Sequence, residues 1–210
     1  MMYATKATRF SARHQVSDAL LQVITEQGAS LDDHVERVSE LSGALAKALG
    51  EPEHEVSRIR VAARLHDVGK TAIPAAILDK PGPLDGLEWK FMQRHPLIGE
   101  RIASAAPALA STAALIRSSH ERVDGHGYPD GLCGEDIPLG ARIIAVCDAF
   151  QAMTSDRVYH RRRSVADALE ELQRSAGTHF DATIVTAFCG QVLTQASDAD
   201  GEPPVSAVAA

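Results

Sequence analysis

The sequence predicts an all-α fold: a helical bundle interrupted by one long loop rich in glycine and proline. Three observations carry that prediction. Apolar residues recur at helical spacing in one segment after another. Aromatic residues are only 4% of a chain that is 45% hydrophobic, so the core must be built mainly from Ala, Leu, Val and Ile. Glycines, prolines and capping acids fall where helices would start or stop. The 210 residues suit one large domain, or one and a half small ones.

Taken in order, residues 1–12 show little pattern and read as a frayed N-terminal segment. From His14 to Gln27, Val16, Ala19, Leu20, Val23 and Ile24 recur at helical spacing, and Gly28 ends that helix. Asp32 or Asp33 can cap a second helix running to about Leu49. Its buried stripe is Val38, Leu41, Leu45 and Leu49, and His34 lies on it. Pro52 starts the next helix at its first turn. There Val56, Ile59, Ala62 and Ala63 face inward, His66 continues the face, and Gly69 terminates the helix. Ile73 to Leu78 reads as one short turn, and Lys80-Pro81-Gly82-Pro83 as a loop.

Asp85 caps a helix through Met92, and Pro96 sits in the first turn of another that begins at His95. Pro107 opens a helix in which Leu109, Ala113 and Ile116 share a face that reaches His120. Glu121 to Gly140 is a long loop anchored by Tyr128, Leu132 and Ile137, and loops of this length inside a domain are usually functional. From Ala141 an apolar helix runs past Met153, with Asp148 on one flank beside Ile144, Gln151 and Ala152. An acid in so apolar a helix needs a reason, either an ion pair or a metal. Ser164 caps a helix through Leu172, and Phe180-Asp181 opens the last one, with Ile184, Val185, Phe188 and Val192 facing inward. From about residue 196 the pattern is lost, and 196–210 reads as a disordered tail.

Composition narrows the function. A formal net charge of -7 argues against a general nucleic-acid binder, so no DNA partner is expected. It leaves room for a small anionic ligand where local Arg, Lys or metal reverses the field. The three cysteines are widely spaced without a CxxC pair, which suits a reducing cytoplasm rather than a disulfide framework. No run of about 18 apolar residues exists, so no membrane span is expected. The N-terminus lacks the apolar core of a signal peptide.

One stretch concentrates the chemistry: His66-Asp67-Val68-Gly69-Lys70. Imidazole beside carboxylate makes a plausible metal pair, and a lysine follows. His34, His66 and His120 each extend an apolar helical stripe, and His95 begins a helix. Buried imidazoles need partners, so four such histidines with an acid beside one point to a shared site.

These motifs together resemble the HD-GYP domain, a subgroup of the HD metal-dependent phosphohydrolases. The pieces are HDVGK at 66–70, His95-Pro96, HERVDGHGYPDG at 120–131, RIIAVCDAFQAMTSDRVY at 142–159 and Gly177-Thr178-His179-Phe180-Asp181. The likeness covers nearly the whole chain and sets a domain over 13–195. It implies an HD-domain-like bundle with a metal site in its core, hydrolysing cyclic di-GMP to pGpG and on to GMP. By family position the ligands would be His34, His66, Asp67, His95, His120 and Asp148, with Asp67 bridging two metals. Lys70 would reach a substrate phosphate, helped by Arg157. The Gly-Tyr-Pro loop, with Tyr128, would wall the site or dock a partner such as a GGDEF diguanylate cyclase. A donor set of imidazole and carboxylate without thiolate suits iron or manganese, and zinc is also compatible.

Three positions depart from the family pattern. Ser119 stands where many members carry a second histidine, Ser30 where some carry a glutamate that supports a third metal, and Gln151 where an aspartate is usual. Two metals are therefore expected, not three, with Ser119 and Gln151 acting from a second layer around the ligands. The same departures motivate another reading: a weakly active or inactive sensor of the dinucleotide, or a docking module. A third keeps the catalysis and changes the substrate to another cyclic dinucleotide or a smaller phosphoester. A homodimer through the first helices is allowed, though no sequence feature demands it. With only a short segment before the domain, the chain reads as a stand-alone module or an excised piece.

Overall fold

A computed structural model of the chain describes residues 15–20, 22, 32–155 and 162–199. The frayed-segment reading of 1–12, the tail beyond 199, Ser30 and Arg157 therefore lie outside the described residues. Among the described residues the structure is helical, without strands; the only pairings are isolated bridges of Asp124 with Cys133 and Ala176 with Phe180. Residues 15–20 and 22 are helical, in the middle of the first predicted helix.

The helices that follow are α1 (Asp32–Ala48), α2 (Glu53–Leu65), α3 (Ala75–Leu78), α4 (Gly86–Met92) and α5 (His95–Ala105). After them come α6 (Ala113–Arg117), α7 (Leu139–Thr154), α8 (Val165–Arg174) and α9 (Ala182–Ala199). Short 3-10 turns occupy Val68–Ala72, Ala110–Thr112 and Gly134–Asp136. No helix among the described residues is long and apolar enough to cross a membrane.

The centre of the bundle is α1 packed along both α2 and α7. Val38 and Leu45 of α1, Ile59 and Leu65 of α2, and Ile143, Ile144 and Val146 of α7 are all essentially removed from solvent. Each such side chain contributes about 1.5–3 kcal/mol of burial, so this seam is a stiff base for the groups it carries. α9 lies against α1, α7 and α8, and its Phe188 meets Phe150 edge to face at 5.0 Å. α5 packs on α6 and on the Val68–Ala72 turn. Cys147 is sealed in the core, and burial pushes its thiol up to about 12. It acts as a small apolar residue.

Several boundaries differ from the sequence reading: residues 107–109 are turn, so no helix opens at Pro107, and the helix expected from Ala141 starts at Leu139. Four more differ for a local reason. Pro52 precedes α2 as its N-cap, not in its first turn. That helix ends at Leu65, four residues before Gly69, and the chain tightens into the 3-10 turn that contains the glycine. Gly69 is there for space: a Cβ on it would stand 1.9 Å from the His95 carbonyl oxygen. His120 is not on a helical stripe, because α6 stops at Arg117 and Ser118–His120 form the turn after it. At the other end α9 carries Ser197 to Ala199 as helix, where loss of apolar period had suggested a tail.

Candidate metal centre

Six side chains meet between α1, α2, α5 and α7. His34 projects from the first turns of α1 and Asp148 from the middle of α7. His66 and Asp67 occupy the junction between α2 and the 3-10 turn, His95 is the first residue of α5, and His120 ends the turn after α6. Potential donor atoms of His34, His66 and Asp67 lie within 4.8 Å of one another, and so do those of Asp67, His95 and His120. Asp67 belongs to both trios. Asp148 joins the first, with its Oδ1 3.1 Å from His34 Nε2 and 3.7 Å from His66 Nε2.

The histidine tautomers are set by the main chain. His66 Nδ1 lies 2.7 Å from the Ala63 carbonyl oxygen, and His95 Nδ1 lies 2.8 Å from that of Met92. A carbonyl can only accept, so each Nδ1 carries a proton, which leaves Nε2 as the ring atom that could ligate. Those Nε2 atoms face carboxylate oxygens: His66 Nε2 is 3.5 Å from Asp67 Oδ2, and His95 Nε2 is 3.3 Å from Asp67 Oδ1. His66, His95 and His120 Nε2 and Asp67 Oδ1 are buried and lack a hydrogen-bond partner. Acceptors converging on one another in a buried site are a costly arrangement by themselves. They fit a cation between them, as metal-ligating histidines whose other nitrogen is held by a carbonyl do.

The electrostatics point the same way. Burial works to raise the Asp67 pKa, but the surrounding imidazoles, His66 first, and the Lys70 ammonium hold it well below the usual carboxylate range. Burial also opposes ionisation of Asp148, yet the His34 hydrogen bond and His66 keep its carboxyl low. The pKa of His120 is lowered by burial. Two ionised carboxylates beside imidazole lone pairs form a hard-to-borderline donor set without sulfur.

The remaining predicted residues separate into near and far. Lys70 Nζ donates to Asp67 Oδ2 at 2.6 Å, with the ammonium partly open to solvent. The Tyr128 ring lies flat on His120, with centroids 5.2 Å apart and planes 2° from parallel, and burial raises its phenol pKa. Ser119 is buried and lines the same cleft as His120, but its hydroxyl donates to the Ile116 carbonyl at 2.9 Å. Gln151 is placed differently: its amide donates to Ser155 Oγ at 2.8 Å, and it lines a separate cleft of about 530 Å³ with Arg37 and Glu40. That cleft contains none of the six donors. His126 is exposed, and His54 is a surface residue paired with Glu55.

Glu121 was not singled out by the sequence, yet it organises the loop. It is buried, and its two oxygens accept from the amides of Asp130 at 2.7 Å and Leu132 at 3.1 Å. Arg117 grips the far side of the loop at Asp130, 2.6 Å away, and also binds Glu100 of α5. Gly127 lets the loop fold back, since a Cβ there would come within 2.3 Å of the Arg122 amide nitrogen. The Tyr128 amide then donates to the His120 carbonyl at 3.2 Å, which fixes the tyrosine over the histidine. The one sequence signal was an acid directly after His120 in a loop otherwise rich in glycine.

A family model described as HD domain matches residues 18–184. The cyclic di-GMP phosphodiesterase response regulator RpfG of Xanthomonas campestris pv. campestris is 41% identical over 194 residues, covering 89% of this chain and 51% of its own length. The 3'3'-cGAMP-specific phosphodiesterase 2 of Vibrio cholerae is 40% identical over 154 residues, covering 72% of this chain and 30% of its own. The chain thus spans about half of one relative and under a third of the other. Among solved structures, the HDG"Y"P protein Bd1817 from Bdellovibrio bacteriovorus aligns over 88% of this chain and 64% of its own. Its TM-score is 0.64 at 19% identity, which is a likeness of fold.

Proposed function

The chain belongs to the HD-domain family, and on that premise we propose that it is a metal-dependent phosphodiesterase that opens cyclic di-GMP to pGpG, and on to GMP. The observation that carries the reading is the pair of trios sharing Asp67, with imidazole lone pairs and a carboxylate oxygen turned inward and unpaired. His34, His66, Asp67 and Asp148 would hold one divalent ion, and Asp67, His95 and His120 a second. Iron or manganese suits these donors best. Two such ions would supply hydroxide from water at neutral pH and offset charge on the phosphate.

The chain's own groups do the rest. Asp67 would be shared between the two ion positions, and the carbonyls of Ala63 and Met92 hold the His66 and His95 rings in register. Lys70, at the edge of the site, is the group we assign to a non-bridging phosphate oxygen. Arg157 is assigned beside it from its sequence position. Tyr128 closes one wall and limits the entry of bulk water. In the first step water adds across one phosphorus–O3' bond, leaving a 5'-phosphate and a free 3'-hydroxyl; a second water across the remaining phosphorus–O3' bond gives two GMP. The cytoplasm is the assigned compartment, supported by three unpaired cysteines, and a diguanylate cyclase is the partner assigned to the loop around Tyr128.

A weakly active binding module is the second reading, favoured by one observation. Because the Ser119 hydroxyl is engaged by Ile116, that position adds no donor to the trio of Asp67, His95 and His120. A third reading, another cyclic dinucleotide as substrate, is favoured by the likeness to the Vibrio cholerae enzyme. The test is turnover by anaerobically purified protein of cyclic di-GMP and of 3'3'-cGAMP, with metal content measured on the same sample. Conversion of cyclic di-GMP to pGpG, lost in Asp67→Asn, is expected. Two bound ions with binding but no turnover would favour the binding module, and preferred turnover of 3'3'-cGAMP would favour the third reading.

A further inference from the structure

Trp89 is the only tryptophan in the chain, and it is 46% exposed. It sits on α4, a short helix held by a reciprocal cap between Asp85 and Glu88, with Glu88 also bound to Lys80 at 2.5 Å. A half-exposed indole on so firmly anchored a turn is placed rather than left over. It lines a cleft of about 410 Å³ shared with His120, Asp148 and Tyr128. Its ring meets Tyr128 edge-on, with centroids 6.1 Å apart and planes at 77°, and Tyr128 in turn lies flat on His120. Aromatic surface therefore runs without a break from the donor cluster to the indole. Gln93, one helical turn beyond Trp89, lines the same cleft and carries both a donor and an acceptor.

We propose that Trp89 is the stacking platform for a purine base of the dinucleotide, with Gln93 meeting the edge of that base. The inference rests on the function proposed above and deepens it. A cyclic dinucleotide presents a flat base beside each phosphate, so a phosphate held by the donor cluster brings a base along the aromatic wall. Stacking on indole is tolerant of base identity, whereas an amide at the base edge is not. Trp89 then sets affinity and register for the scissile phosphate, and Gln93 influences which purine is preferred.

The single indole makes the test direct. The whole chain is titrated with the phosphorothioate analogue of cyclic di-GMP, which resists hydrolysis, while tryptophan emission is recorded. Saturable quenching is expected. In turnover of cyclic di-GMP, Trp89→Ala should raise KM about tenfold with kcat within about twofold of wild type, and Trp89→Phe should recover most of the loss. Metal content of all variants should match wild type. Unchanged emission at saturation, or a wild-type KM in Trp89→Ala, overturns the base platform while leaving the phosphodiesterase reading intact. A wild-type chain that neither binds nor hydrolyses the dinucleotide overturns the parent reading and this one together.

Discussion

Gly69 and His95 come so close that their backbones leave no room for a side chain between them: a Cβ on Gly69 would also lie 2.7 Å from the Gly99 nitrogen. The turn bearing Asp67 is thereby pressed against the first turn of α5, which bears His95. Gly69→Ala is expected to cost about 3 kcal/mol, since backbone cannot move aside as a flexible side chain does. Thermal unfolding measures the loss. Metal content of the folded fraction should fall as well, because the two turns that bear the proposed ligands must separate.

Asp67→Asn should remove the group common to both trios. Isotopic metal analysis is expected to show both ions reduced, where Asp148→Asn depletes mainly the site with His34 and His66. A variant with Asp67 replaced that kept two ions at wild-type affinity would contradict the shared-carboxylate assignment.

Glu121→Ala should loosen the loop rather than the core. It removes the acceptors of the Asp130 and Leu132 amides, a loss of about 1–2 kcal/mol. Limited proteolysis between Arg122 and Leu132 should accelerate, and KM for the dinucleotide should rise as Tyr128 loses its fixed position over His120.

Arg142 and Asp181 join the start of α7 to the start of α9 at 2.6 Å. Burial would raise the Asp181 pKa, but the Arg142 hydrogen bond and the amides of Ile184 and Thr183 bring it below the ordinary carboxylate value. Its folded pKa is thus lower than its unfolded value of about 3.9. The contribution is present above that pH and lost as pH falls through the folded pKa. Asp181→Asn is expected to cost about 1–2 kcal/mol at neutral pH. Denaturant titrations along an acid series should show the gap to wild type closing below about pH 4.

Much of this was legible because it is periodic. Stripes such as Val38 with Leu45, and Ile143 with Val146, are written at helical spacing, and Asp85 followed by Glu88 spells its own cap. The ligand candidates were legible as residue types in a recognisable order. What the sequence could not convey is contact between distant backbones. Gly69 reads as a helix stop, since nothing local reveals that His95 lies against it. His120 reads as the end of a stripe, since the turn over Ser118–His120 that ends α6 at Arg117 leaves the apolar spacing unchanged. Gln151 reads as a neighbour of Asp148 by spacing, but its amide finds Ser155 one turn along.

The carbonyls of Ala63 and Met92 hold His66 and His95, and both belong to the turn that leads into the histidine they hold. Two rings of the proposed ligand cage are therefore oriented by main chain, not by a guest. Chelated protein should keep its helical content and reload on simple addition of metal, without a refolding phase. The same stiffness would make the proposed cage a gauge of ionic radius, so ions of unlike size should differ more in affinity than in the fold they leave behind.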